Sequence, residues 1–241
     1  MNLDDLKLFF EFMTFEFEKT YTPLFIAIVL TVLIFSCPLR PTVLDIPKST
    51  FEVVQLVLNS SFVSLVLVLF STVTFSYSFA KDIEQGLVMD ELTNPLRKET
   101  LFIFKFLINM LFLAIGCLIS VLLSTWILFG SIYISAVIVI ELVEIIVLLI
   151  YVSLSIAIGL LAQSLLPSIV VPLSLYFLEE TMLFSFGYSY GITSPEIVIL
   201  RLIFINEVTT QTWVVLLIHV VLASIVLVFS FFYFRSVMQL D

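Results

Sequence analysis

The sequence predicts an all-α, polytopic membrane protein with six transmembrane helices, and three observations predict it. First, 61% of the 241 residues are hydrophobic and only 12% are charged, with a mean hydropathy of +1.24. A soluble domain is about half apolar and about a quarter charged. Second, the apolar residues lie in continuous runs near the length that crosses roughly 30 Å of hydrocarbon. Outer-membrane barrels alternate instead. Third, Lys and Arg gather between alternate runs, the bias that orients helical membrane proteins. These features exclude a water-soluble enzyme, a disordered tail and a nucleic-acid binder, and make the lipid bilayer an expected partner.

The whole chain, 1–241, reads as a single transmembrane domain. Asn2 to Tyr21 is too polar to cross, yet Leu3, Leu6, Phe9, Phe10, Met13 and Phe17 recur at helical spacing. That pattern suits a helix lying in the membrane interface over 1–21. Its acidic polar face is unusual for such a helix, so packing on other protein is an equal alternative. Asp4, Asp5, Glu11, Glu16 and Glu18, without a small-residue cleavage site, make a signal peptide unexpected here.

Six runs follow. The first is Thr22 to Cys37, opened by Pro23 and closed by Pro38. The second is Val53 to Ser78, and the third, after a charged gap, Leu101 to Phe129. The fourth runs from about Ser135 to Leu166, longer than one crossing needs, and is punctuated by Pro167. The fifth is Ser168 to Phe186 and the sixth Trp213 to Phe234. Within the outer segment 188–211, Thr193-Ser194-Pro195-Glu196 reads as a helix start, with Ser194 as cap and Pro195 in the first turn. The short apolar stretch Ile197 to Ile205 then either dips into the interface or covers the bundle as a loop helix.

Orientation comes from the basic residues. With the N-terminus cytoplasmic, the inside segments hold Lys7, Lys19, Lys81, Arg97, Lys98, Lys105 and Arg235, against Arg40, Lys48 and Arg201 outside. The bias places both termini in the cytoplasm of a multi-pass cell-membrane protein. Trp213 and Tyr233 fall at the two ends of the last run, as aromatic-belt residues do. The net charge of -9 argues against anionic partners, although in a membrane protein the placement of charge counts for more. Cys37 and Cys117 form no metal-binding spacing, and nothing supports a disulfide between them.

The longest charged stretch facing the cytoplasm spans 79–100 and leads to Lys105. Ile83 and Leu87, with Asp90-Glu91-Leu92, set apolar and acidic residues on opposed faces, and Asn94-Pro95 ends the helix. Lys105, one turn inside the third run, is placed to snorkel its ammonium to the headgroups as a membrane-edge anchor. The plain alternative is an ordinary solvated loop.

Glu84, Gly86, Leu92, Pro95 and Lys105 stand at the spacings of the loop after the second span in type-two ABC exporter permeases, which this chain resembles. The usual Thr after the Gly is Leu87 here, and the usual Leu pair before the Pro is Glu91-Leu92, which puts the packing of the loop helix in doubt. The interfacial N-terminal helix, the six spans and the short outer helix extend the resemblance over the whole chain. It implies a dimer, homomeric or heteromeric, in which each permease copy docks a separate ABC-type ATPase through this loop, the cytoplasmic coupling helix. Asp82, Glu84, Gly86, Asp90, Glu91 and Pro95 would form the docking segment. Its acids would meet basic groups on the ATPase and set register and encounter rate more than affinity. ATP binding would then drive export of a lipid-like, drug-like or other amphipathic molecule.

The chain itself has no glycine-rich phosphate loop of the Walker type. ATP and Mg would therefore sit on the partner ATPase, and no cofactor or metal is expected on this chain. His219 is the only histidine, which removes a two-histidine zinc helix, and no Ser elbow flanked by glycines occurs. An enzyme is therefore not expected. Glu141 and Glu144 share a helix face and read best as part of a water-exposed outer helix ahead of the fourth span. Glu179 and Glu180 in the fifth run and His219 in the sixth could line a translocation path. His219 reads best as bonding a neighbouring helix. Those three residues support an alternative, an ion- or proton-coupled secondary transporter, although no internal repeat of the carrier kind is evident. A membrane scaffold that transports nothing is a third possibility.

Overall fold

The computed structural model describes residues 61–84, 98–129, 134–186 and 210–237, with Glu11, Met13 and Thr14. Among them the chain is helical throughout, without strands, apart from a two-residue turn at Gln163 and Ser164. Helix α1 is Ser61–Ser76 and runs without a break through a π-helical turn, Tyr77–Lys81, into a closing α turn, Asp82–Glu84. Helix α2 is Lys98–Phe129, α3 Ile134–Ala162, α4 Leu165–Phe186 and α5 Thr210–Val237. Four stretches are long and apolar enough to cross a membrane: Leu65–Glu84, Lys98–Leu123, Val137–Ala162 and Leu217–Ser236. In α4 the apolar helix Leu165–Leu178 is shorter.

The helices run up and down. The end of α1 and the start of α2 meet where Phe79 packs edge-on to Phe102 at 5.2 Å. At the same end α3 brings Gly159 against Ala80, and α5 brings Phe234 to 5.5 Å from Phe102 and 6.4 Å from Phe79. Thus α1, α3 and α5 finish at one end of the bundle, and α2 and α4 start there. All four basic side chains of the described residues, Lys81, Lys98, Lys105 and Arg235, belong to this end.

Helix α3 is the hub, packed on α1, α2, α4 and α5. Its buried Val147, Leu148, Tyr151, Val152 and Ile156 form the middle of the core, and Tyr151 packs edge-on to Tyr176 of α4 at 6.1 Å. Helix α5 is peripheral: Leu217, Val221, Leu222, Ile225, Phe229 and Phe232 are exposed, an apolar face suited to acyl chains. Hydroxyls inside the apolar helices bond back to their own backbone, as Ser71 Oγ does to Val68 O at 2.9 Å and Thr72 Oγ1 to Leu69 O at 3.0 Å. With no water available, such bonds are how a hydroxyl is accommodated.

Three of the boundaries that differ from those read in the sequence bear on the site. The second run does not end at Ser78 but continues to Glu84, through the π turn. The fourth ends at Ala162, before Pro167, where Gln163 takes the left-handed conformation (φ 49) that commonly closes a helix. Helix α4 then starts at Leu165 and carries Pro167 in its first turn. Proline is tolerated there because a first-turn N–H has no helical acceptor anyway. The first run, the interfacial segment 1–21 apart from three residues, the loop 85–97 and the outer segment 188–209 lie outside the described residues.

Candidate functional site

The polar groups of the bundle concentrate where α1 hands the chain on to residues 85–97. Thr74, Ser78 and Asp82 recur every four residues along α1, and Lys105 and Asn109 are four apart on α2; all five are buried. Spacing of four keeps each set on one helix face, so two polar stripes meet in an otherwise apolar interface. Lys105 forms an ion pair with Asp82 Oδ2, the two side chains being 1% and 0% exposed. Its Nζ also donates to Ser78 O at 3.1 Å. Asn109 Nδ2 donates to Ser78 Oγ at 2.9 Å and to Lys105 O at 2.7 Å. Removing two charges from water is costly unless they are paired and hydrogen-bonded. Lys105 meets both conditions, through Asp82 Oδ2 and Ser78 O.

The π turn explains how a backbone oxygen is available to Lys105. In a regular α-helix the Asp82 N–H would donate to Ser78 O, four residues back. Here it donates to Phe79 O, three residues back. Ser78 O is thereby opened to a side-chain donor, and the ammonium from α2 takes it.

A second seam joins α1 to α3 and α4. Pro172 lies inside α4 and has no N–H for Ser168 O, its partner four residues back. Ser155 of α3 stands in: its Oγ is 3.0 Å from Ser168 O and 3.1 Å from Thr72 O. Ser155 has one hydroxyl proton for these two oxygens, so in its 2.8 Å contact with Ser76 Oγ the Ser76 hydroxyl is the donor. Gly159 permits the close approach, since a Cβ there would come within 2.9 Å of Ala80 Cβ and 3.3 Å of Ser168 Cβ. Small residues and interhelical hydroxyls are the usual adhesive between helices in lipid.

Glu84 completes the junction. It is exposed, and its Oε2 accepts the Leu165 N–H at 2.9 Å. A carboxylate at the start of α4 satisfies an orphan donor and faces the positive end of the helix dipole. On the other side of the 85–97 connection, Glu99 lies 3.3 Å from Arg235 Nε of α5. That pair is exposed and contributes little on its own.

These positions correct two expectations. Lys105 does not snorkel outward as a membrane-edge anchor; it turns inward, because Asp82 and the opened Ser78 carbonyl lie within its reach. Asp82 cannot face a soluble partner while it is fully buried against Lys105. Of the other residues read as a docking segment, Glu84 is accessible, whereas Gly86, Asp90, Glu91 and Pro95 lie outside the described residues.

A third correction concerns Glu141 and Glu144. They do not form a separate exposed outer helix but lie within the continuous α3, where Glu144 is fully buried and Glu141 half-buried. Glu179 and Glu180 belong to α4, with side chains outside the described set. His219 is 7% exposed and shares the inward face of α5 with Ala223, Ser230 and Phe234. Cys117 is a buried free thiol within α2. Ser76, Ser78, Asn109, Ser155, Gly159 and Ser168 were missed by sequence reasoning, although the matched four-residue spacings on α1 and α2 were there to be seen.

No protein-family model matches the chain, and no curated protein matches it either.

Proposed function

We propose that this chain is the membrane-spanning permease subunit of an ATP-driven ABC exporter. It would work as a homodimer or heterodimer with a separate ATPase docked on the loop between α1 and α2. In this reading the chain crosses the membrane six times, both termini are cytoplasmic, and the charged end of the bundle faces the cytoplasm. The observation that supports it best is the anchoring of both ends of the 85–97 connection. On one side Asp82 is paired with α2 and Glu84 is bonded to α4; on the other, Glu99 faces α5. A pull on that connection would reach α2 and α4 through the Asp82 and Glu84 ties, as a coupling segment requires. The exported molecule would be amphipathic, taken from the cytoplasmic side.

The test is transport in sealed vesicles with the proton gradient collapsed. Efflux of an amphipathic dye that needs Mg-ATP and the partner ATPase is the expected result. Efflux that follows an imposed proton gradient and ignores ATP would instead select a second reading, an ion- or proton-coupled carrier. One observation favours that alternative: Glu144 and His219 are both buried in apolar helices that run in the same direction. Glu144 precedes Gly159 by as many residues as His219 precedes Phe234, which sets the two at a similar depth, about 22 Å from the charged end at 1.5 Å per residue.

A further inference from the structure

The π turn Tyr77–Lys81 lies where α1 leaves the bundle for residues 85–97, and a group from another helix holds it open. Lys105 Nζ occupies Ser78 O at 3.1 Å, the acceptor that the Asp82 N–H forgoes in favour of Phe79 O. The same ammonium pairs with Asp82, immediately beyond the turn. One side chain of α2 therefore grips both lips of the irregularity. Asn109, one turn further along α2, adds its bond to Ser78 Oγ at 2.9 Å.

We infer that Lys105 is a register pin, and that its withdrawal lets the π turn close into regular α-helix and rotates the loop-side end of α1. Closing the turn returns Ser78 O to the Asp82 N–H and shifts everything beyond it by one residue. One residue of α-helix is about 100° of rotation and 1.5 Å of rise. Such a step carries Asp82 off Lys105 and Glu84 off the start of α4, so the ties at this end change together. The seam with α3 makes the change discrete. Ala80 fits against Gly159, where a Cβ would already lie at 2.9 Å from Ala80 Cβ, and because its neighbours Phe79 and Lys81 are too large for that place the shifted register has to part α1 from α3 there. A bundle packed this closely passes between two arrangements and does not deform smoothly. The inference rests on the exporter reading only for the source of the pull; the change of register is a property of this chain alone.

The experiment uses the full chain in lipid nanodiscs, with Cys37→Ser and Cys117→Ala, and pulsed electron spin resonance between spin labels. One label pair, at Lys81 and Ala162, crosses the π turn; a control pair, at Leu107 and Ala162, does not. The otherwise unchanged chain is expected to give one narrow distance for each pair. Asp82→Asn with Lys105→Gln removes the pin without leaving a buried charge. It is expected to shift the first distance by roughly 5–8 Å, the displacement of a side chain about 5 Å from a helix axis turned through 100°, and to leave the control unchanged. Lys105→Arg, which keeps charge and donors, is expected to retain the original distance. An unchanged first distance in the neutral double variant would overturn the inference. Loss of both distances would overturn it too, because the pin would then be part of the scaffold and not of a switch. Since no ATPase is present, failure here leaves the exporter reading standing, and failure of ATP-driven efflux leaves the pin standing.

Discussion

Lys105 of α2 donates to the backbone oxygen of Ser78 in α1, 3.1 Å away and 27 residues earlier in the chain. Because the same ammonium pairs with Asp82, a single cation serves both a buried carboxylate oxygen and the carbonyl released by a π turn. The arrangement repeats at Pro172, where Ser155 of α3 supplies the donor that Ser168 O has lost. In both places a neighbouring helix repairs an irregular backbone. In lipid this repair is obligatory, since water cannot provide it.

Breaking the ion pair from one side is expected to cost more than removing it altogether. Lys105→Met leaves the Asp82 carboxylate buried without its cation and should destabilise the fold by about 3–5 kcal/mol. Asp82→Asn combined with Lys105→Met should recover a large part of that loss. Thermal unfolding of the purified chain in one detergent, compared across single and double variants, reads the difference directly.

Gly159→Ala places a methyl 2.9 Å from Ala80 Cβ. The helices must part slightly, at a cost of about 1–3 kcal/mol. Ala80→Gly in the same chain should restore most of the stability by reopening the space. A double variant no more stable than Gly159→Ala alone would show that the seam does not close at this point.

Ser155→Ala removes the hydroxyl that serves Ser168 O and Thr72 O. A loss of about 1 kcal/mol is expected, the usual range for hydrogen bonds between membrane helices. In a Pro172→Ala background the N–H of residue 172 again serves Ser168 O, so the penalty for losing Ser155 should shrink. A double-mutant cycle measures this coupling, and strict additivity would count against it.

The described helices were largely legible in the sequence, because long apolar runs have no stable alternative in lipid. The third run was read as Leu101–Phe129 and is Lys98–Phe129; the sixth was read as Trp213–Phe234 and is Thr210–Val237. Which face of each helix points inward was not legible. On α5 the outward Leu217, Val221 and Leu222 are as apolar as the buried Ala223 and Phe234, so periodicity carries no signal. The errors at Asp82 and Lys105 share one cause. Pro167 and Asn94-Pro95 announce breaks in the chain, whereas a π turn has no residue signature. A reading from the sequence therefore ends the run at Ser78 and faces both charged residues outward. With the helix continued to Glu84, Asp82 falls on the stripe of Thr74 and Ser78, opposite Lys105.

The most direct measurement of the central claim is Mg-ATP hydrolysis by the intact chain purified from its own membrane in mild detergent, beside a Gly86→Arg variant. Gly86 lies in the connection read as the ATPase seat, so a bulky cation there should displace the motor. The exporter account predicts an ATPase of fixed stoichiometry and vanadate-sensitive hydrolysis with the native chain, and at least a tenfold loss of both with the variant. Equal hydrolysis in the two preparations, or none in either while the chain still moves its cargo down a proton gradient, would contradict it.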